Sequence, residues 1–100
     1  MDWADTLRDE LKNLLVETLV NLAAWNVKQR HYASAKNLYK KALDKEPYRD
    51  DIHLAFIHCL VYSGASNAAL AHYLEYQIFL KKEGMEPTKT LQDYYQSLIR

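Results

Sequence analysis

The sequence contains few residues that interrupt helices or cross-link chains. It has two glycines, two prolines and one cysteine among 100 residues. Few glycines and prolines, together with few alternating β-branched segments, favour helices over a turn-rich β fold. The single cysteine, Cys59, excludes an internal disulfide. Its position in an apolar helical segment predicts a small buried residue in a reducing compartment such as the cytoplasm.

An excess of charge of one sign is also missing. Thirteen basic and thirteen acidic side chains give a formal net charge of zero, which disfavours direct nucleic-acid binding, because phosphate contacts need a basic excess on one face. No apolar run reaches the roughly 18 residues of a membrane span, and acidic Asp2 and Asp5 stand where a secretory signal has basic residues. The length predicts a single domain with one core. The lone cysteine and the missing span and signal predict a place in the cytoplasm without membrane contact.

Apolar spacing in the first half of the chain predicts two helices. The first covers residues 3–28, is capped by Asp2, and is long enough that its first third should contact something beyond the next hairpin. The second covers residues 32–44 and precedes Pro47, a residue that stops helices. Together these two helices predict a helical hairpin.

The second half predicts three more helices. Gly64 ends the third helix in a left-handed conformation, and Ser66 is expected to cap the fourth, which continues to about residue 83. Gly84 ends the fourth helix in the same way, and Pro87 and Thr88 begin a short fifth helix that covers the fourth. The predicted fold is therefore all-α, with about five helices.

Residues 52–80 are almost free of charge, with Glu75 as the only Asp, Glu, Lys or Arg. A helix that is apolar on most of its circumference is wrapped by other helices or docked on a partner. We therefore expect this segment to supply both core and contact surface. Tyr62 and Tyr76 are predicted to lie in an exposed patch that binds a partner.

The chain repeats with an offset of 34 residues, which aligns Ala35 with Ala69 and Tyr39 with Tyr73. This period resembles the tetratricopeptide repeat, whose second helix carries a small residue at the helix crossing and an aromatic residue four positions later. In the second repeat, Tyr76 stands where a small residue is expected. The resemblance implies two tetratricopeptide-like hairpins followed by a C-terminal capping helix.

The whole chain resembles the bacterial transcriptional activator domain, a module of regulators such as the antibiotic-regulatory proteins and some response regulators. The segments that carry the resemblance are Trp3-Ala4-Asp5, residues 47–53, Gly64 before Ala68-Ala69-Leu70, Tyr73, and Gly84-Met85-Glu86-Pro87-Thr88. The sequence departs from the family at Arg30, where Gly is favoured, and at Glu83, where Leu is favoured. The first departure bears on how tightly the first hairpin turns, and the second bears on how firmly the fifth helix packs.

The resemblance implies that residues 1–100 form a single module within a larger regulator. It implies a non-enzymatic role in protein interaction and dimerisation. The expected partners are a second copy of the chain, neighbouring domains of the same regulator and RNA polymerase. DNA would be contacted only through a separate domain.

Two surfaces are candidate binding sites. The repeat frame predicts a partner-binding concave face formed by Glu17, Val20, Ala24, Lys28, Asp51, Leu54, His58, Val61 and Tyr62. Its mostly apolar character suits a helix laid in a groove. A basic face is formed by Lys36, Lys40, Lys41 and Lys45, which could meet an acidic partner or lie in solvent.

Catalytic and metal-binding chemistry is disfavoured. His58 and Cys59 are adjacent and point about 100° apart on a helix, which argues against a metal site that both form with His53 and His72. A thiol in apolar surroundings is a poor nucleophile, and the sequence has no Gly-rich phosphate loop. We expect no cofactor. Two alternatives stay open, a free-standing tetratricopeptide-like adaptor for a peptide or helix and a small-molecule sensor with a pocket between the third and fourth helices.

Overall fold

The computed structural model describes residues 2–100 and contains five α-helices and no strand within that range. The helices are α1 (Trp3–Lys28), α2 (Tyr32–Lys45), α3 (Asp50–Tyr62), α4 (Ser66–Lys81) and α5 (Lys89–Leu98). The predicted all-α fold class is confirmed. The chain forms two compact units, which divide after Pro47.

The first unit is a hairpin in which α1 packs against α2. Asp2 caps α1 as predicted, since its carboxylate accepts a hydrogen bond from the Ala4 amide at 3.2 Å. The buried face of α1 carries Val16, Ala23 and Asn26, and α2 buries Ala35, Tyr39, Ala42 and Leu43. Small residues on both helices allow the close approach that a helical hairpin needs.

The first helix is longer than its partner. Lys12 of α1 forms a 3.6 Å ion pair with Glu46, the residue that ends α2. Because α1 begins at Trp3, its first two turns extend past the end of α2 within this unit. The apolar residues of those turns therefore have no α2 side chain to pack against.

The second unit contains α3, α4 and α5, with α4 packed against both of the others. The core of the unit consists of Ile52, Phe56, Ile57, Cys59, Leu60, Ala69, Tyr73, Tyr76, Leu80 and Leu91. The ring of Tyr73 on α4 stacks on that of Tyr95 on α5, with centroids 4.0 Å apart. Cys59 is fully buried, as its sequence context predicts.

Three helices end in the same backbone motif. The amide that follows a residue with positive φ donates to a carbonyl five residues earlier: His31 to Asn26 and Ala65 to Leu60, both at 2.8 Å, and Met85 to Leu80 at 2.9 Å. Gly64 and Gly84 adopt the positive φ that this motif requires, with values of 84° and 72°. Arg30 adopts it too, with φ of 61°, at the repeat position equivalent to Gly64. The predicted glycine helix ends are confirmed.

Two details of the predicted boundaries are wrong. Ser66 is the first residue of α4 and not its cap, because the N-cap is Ala65 and no side chain bonds there. Helix α4 ends at Lys81, two residues before the predicted end. Thr88 does cap α5, since its hydroxyl accepts a hydrogen bond from the Leu91 amide at 3.4 Å.

Candidate functional site

Seven large apolar side chains of α1 lie on one face that is exposed to solvent. At 100° per residue, they fall within an arc of about 120° that contains no charged residue of the helix. We name this surface the α1 stripe. Its members and their exposed fractions are Trp3 75%, Leu7 43%, Leu11 57%, Leu14 64%, Leu15 43%, Leu22 47% and Trp25 55%.

The exposure of the α1 stripe follows from which face of α1 contacts α2. Val16 and Ala23 are fully buried, and they lie roughly 150° around the helix from the centre of the stripe. A single neighbouring helix covers only one side of α1, so the opposite apolar side stays in solvent. The α1 stripe is therefore an unpartnered apolar surface about 22 residues long, which is typical of an interaction site.

Charge is distributed unevenly along α1. Residues 2–10 contain four carboxylates and one arginine, whereas residues 19–30 contain Lys28, Arg30 and no acidic side chain. Arg8 makes a 3.6 Å ion pair with Asp5 on the exposed surface. The helix thus has an acidic N-terminal end and a basic C-terminal end beside an uncharged stripe.

All nine residues of the predicted concave face are exposed or half-buried. Four lie together on one side of α1 in the first unit, and five lie together on one side of α3 in the second. Within the second unit, the ring of His58 contacts Tyr94 of α5, with centroids 4.3 Å apart. Burial lowers the pKa of His58, which favours the neutral imidazole.

The predicted basic face lies along α2. Lys40, Lys41 and Lys45 are exposed, and Lys36 is half-buried. At 100° per residue the four side chains spread over about half of the helix circumference. Side chains that bind one anion together would have to lie closer to one another. The four lysines therefore form a broad positive surface.

The prediction that Tyr62 and Tyr76 share an exposed patch is wrong for Tyr76. Tyr62 is 60% exposed, whereas Tyr76 is only 3% exposed. The Tyr76 ring stacks on the buried His53 imidazole, with centroids 3.5 Å apart. Burial, followed by the hydrogen bond to Asp50, raises the pKa of the Tyr76 phenol well above its usual value. Tyr76 is therefore a core residue whose hydroxyl donates a hydrogen bond to the carboxylate of Asp50.

A polar network in the second unit was missed by sequence reasoning. Nδ1 of His53 lies 2.8 Å from Nε2 of His72, so one ring donates to the other. The Tyr76 hydroxyl donates to Asp50 at 2.5 Å, and Asp50 also accepts from the amide and hydroxyl of Thr88 at 2.9 and 2.5 Å. Tyr76 was the sequence feature that could have predicted this network. It places a hydroxyl at a repeat position where a small residue is expected, and a buried hydroxyl needs a hydrogen-bond partner.

The histidines and the cysteine do not form a metal centre. The structure brings His53 and His72 together, but Cys59 is fully buried in the core. Over residues 2–100, no cluster of three or more His, Cys, Asp or Glu side chains has a geometry that could hold a metal ion. The His53 and His72 pair is accounted for by its mutual hydrogen bond and aromatic packing.

Two open clefts are formed by residues 48–92 on the surface of the second unit. One, of about 420 Å³, is lined by Tyr48, Arg49, Asp50, Asp51, Leu54, Thr88, Thr90 and Leu91. The other, of about 430 Å³, lies beside the loop between α4 and α5 and includes Ile78, Met85 and Pro87. The first cleft borders Leu54 and Asp51 of the predicted concave face.

Comparison with known proteins identifies one family. The family model described as the bacterial transcriptional activator domain matches residues 1–99. No curated protein and no solved structure gave a significant match. None of the helices formed by residues 2–100 has the length and apolar character to cross a membrane.

Proposed function

The chain belongs to the bacterial transcriptional activator domain family, and we propose that residues 1–100 act as one non-enzymatic interaction and dimerisation module of a bacterial transcriptional regulator. The module works through self-association and through docking to neighbouring domains of the regulator or to RNA polymerase. DNA is contacted through a separate domain. The family match supports the role in transcription activation, and the proposed mechanism rests on the surface of α1.

The exposed α1 stripe is the observation that carries this proposal. Its seven side chains expose on the order of 800 Å² of mostly apolar surface, which matches one side of a standard protein interface. Soluble monomers rarely expose one apolar patch above roughly 300–600 Å². Covering the stripe with a partner removes this surface from water, and that gain favours association.

A non-enzymatic role agrees with the state of the most reactive side chains. The Cys59 thiol is fully buried, so a substrate could reach it only after the core opens. His58 packs against Tyr94, and its lowered pKa follows from that burial. These side chains contribute to packing in the second unit.

The test is sedimentation equilibrium of the 100-residue chain from low to high micromolar concentration. We expect a concentration-dependent dimer for the wild-type chain and a monomer for Leu14→Glu, which places a charge in the centre of the stripe. Ile78→Glu is the matched control, because Ile78 is 58% exposed on α4 and outside the stripe. A wild-type chain that stays monomeric at every concentration would overturn self-association.

The predicted concave face supports a second candidate, a tetratricopeptide-like adaptor that holds a peptide or helix. The cleft of about 420 Å³ beside Leu54 favours this role. Alanine at Leu54 and Tyr62 should then weaken partner capture by the full-length regulator without changing the sedimentation of the isolated chain. An unchanged capture would exclude this face from binding.

A further inference from the structure

We propose that two copies of the chain pair through their α1 stripes with the two helices antiparallel. The two-fold axis passes between Leu14 and Leu15, at the middle of α1. This inference rests on the proposed self-association, and it specifies which surface and which helix orientation produce the dimer.

Four of the seven members of the α1 stripe exchange places when the sequence is reversed about the middle of the helix. Reversal about the point between Leu14 and Leu15 places Leu7 on Leu22, Leu11 on Thr18 and Leu14 on Leu15. The same reversal brings Trp3 to the position beside Trp25.

An isologous dimer needs a patch that is complementary to itself after a two-fold rotation. A parallel pair meets this condition too, and an antiparallel pair meets it through the exchange of Leu7 with Leu22 and of Leu14 with Leu15. Each copy then places its large Trp3 ring near the partner's Trp25 at the two ends of the interface, and leucines fill the middle.

The charges beside the stripe favour the same orientation. Antiparallel pairing places residues 2–10 of one copy along residues 19–27 of the other, a stretch without carboxylates that ends beside Lys28. Parallel pairing would instead bring the Glu10 side chains of the two copies, which border the stripe, to the same level of the interface. Opposed helix dipoles add a smaller contribution in the same direction.

The surface is large enough for a stable dimer. Two stripes that each expose on the order of 800 Å² would together bury about 1,600 Å², the standard size of a specific interface. The centre of the patch is uncharged and Arg8, Glu10 and Lys28 lie at its edges, which is the usual arrangement of protein interfaces. Trp3 and Trp25 are the anchors expected to contribute most to affinity.

Thiol cross-linking distinguishes the two orientations. The variants are Leu7→Cys and Leu22→Cys, tested alone and as an equimolar mixture with a short bismaleimide. In the antiparallel dimer, two Leu7 positions lie about 22 Å apart along the axis, beyond the reach of the reagent, whereas Leu7 faces the partner's Leu22. We expect a cross-linked dimer only in the mixture. The wild-type chain is the control, because its Cys59 is fully buried.

The outcomes separate this inference from the proposed function. Efficient cross-linking of Leu7→Cys alone would indicate parallel helices and would overturn the inference. A dimer in sedimentation equilibrium that gives no cross-link in the mixture would also overturn it, while self-association itself would stand. A monomer in sedimentation equilibrium would overturn both. Circular dichroism of each variant verifies that the substitution leaves the helical fold intact.

Discussion

Asp50 connects the three helices of the second unit, and its replacement by Ala should destabilise that unit strongly. The residue lies in the first turn of α3 and accepts hydrogen bonds from Tyr76 on α4 and from Thr88, the cap of α5. Removal of the carboxylate leaves the phenol of Tyr76 with only a 3.5 Å contact to the Tyr48 carbonyl. The change therefore tests whether this network holds α5 against the rest of the unit.

The expected loss follows from the burial of each donor. Tyr76 is only 3% exposed, so a hydroxyl without its acceptor costs roughly 1–3 kcal/mol. The two donors of Thr88 are exposed and can bond to water, so their loss adds about 1 kcal/mol. The lost negative charge at the start of α3 adds about 0.3–1 kcal/mol. We expect Asp50→Ala to lower the free energy of unfolding by about 2–5 kcal/mol.

Urea unfolding followed by far-ultraviolet circular dichroism at pH 7 and one fixed protein concentration measures this loss. Tyr76→Phe should cost less, about 1–2 kcal/mol, because the bonds from Thr88 to Asp50 remain. The double variant should cost less than the sum of the two single losses. Trp3 and Trp25 both lie in the first unit, so tryptophan fluorescence reports separately on that unit.

Asp51→Asn is the matched control for this experiment. Asp51 is the neighbouring carboxylate in the same turn, with a side chain that is 68% exposed and pairs with Arg49 at 2.9 Å. An exposed pair of this kind contributes at most about 1 kcal/mol. The reasoning about the network is refuted if Asp50→Ala costs no more than Asp51→Asn.

Two further predictions concern a helix end and a half-buried imidazole. Arg30→Gly should raise the free energy of unfolding by roughly 0.5–1 kcal/mol, because Arg30 has φ of 61° and Gly adopts that conformation without strain. Gly64→Ala is the reverse control and should be destabilising because alanine is strained at a φ of 84°. A Cβ at Gly64 would meet nothing within 4 Å, so no clash adds to this strain. A loss of stability in Arg30→Gly would contradict this account. The lowered pKa of His58 means that the unfolded chain binds a proton near pH 6.5, before the folded chain does, so stability falls as pH decreases through that value. His58→Gln should lose less stability than wild type between pH 7.5 and 5.5, and an equal loss in both would show that His58 does not contribute.

Much of the local structure could be predicted from short-range signals. The end of α3 follows from Gly64, and the start of α5 from Thr88, because these residues satisfy backbone groups within a few positions along the chain. The prediction that Ser66 caps α4 is wrong because of the position of Ser66 in the helix. A capping side chain must precede the first helical residue, and in the structure Ser66 already belongs to α4.

The candidate site depended on contacts between helices, which periodicity does not specify. The spacing of Trp3, Leu7 and Leu11 marks an apolar face on α1 but does not show whether α2 covers it. In the structure, α2 packs against the smaller Val16 and Ala23, and the larger side chains are exposed. The concave face and the basic face stay predictions, since their partners are not yet identified.

The sequence alone determined the helical class, the helix ends at Gly64 and Gly84 and the family of this protein, because these depend on backbone propensity and on residues close together along the chain. Tertiary structure decided that Tyr76 is buried against His53 and that the α1 stripe is exposed. Both results depend on how neighbouring helices rotate and slide against one another. That register is set by side-chain volume at the contact, where small residues allow the closest approach and so select the buried face.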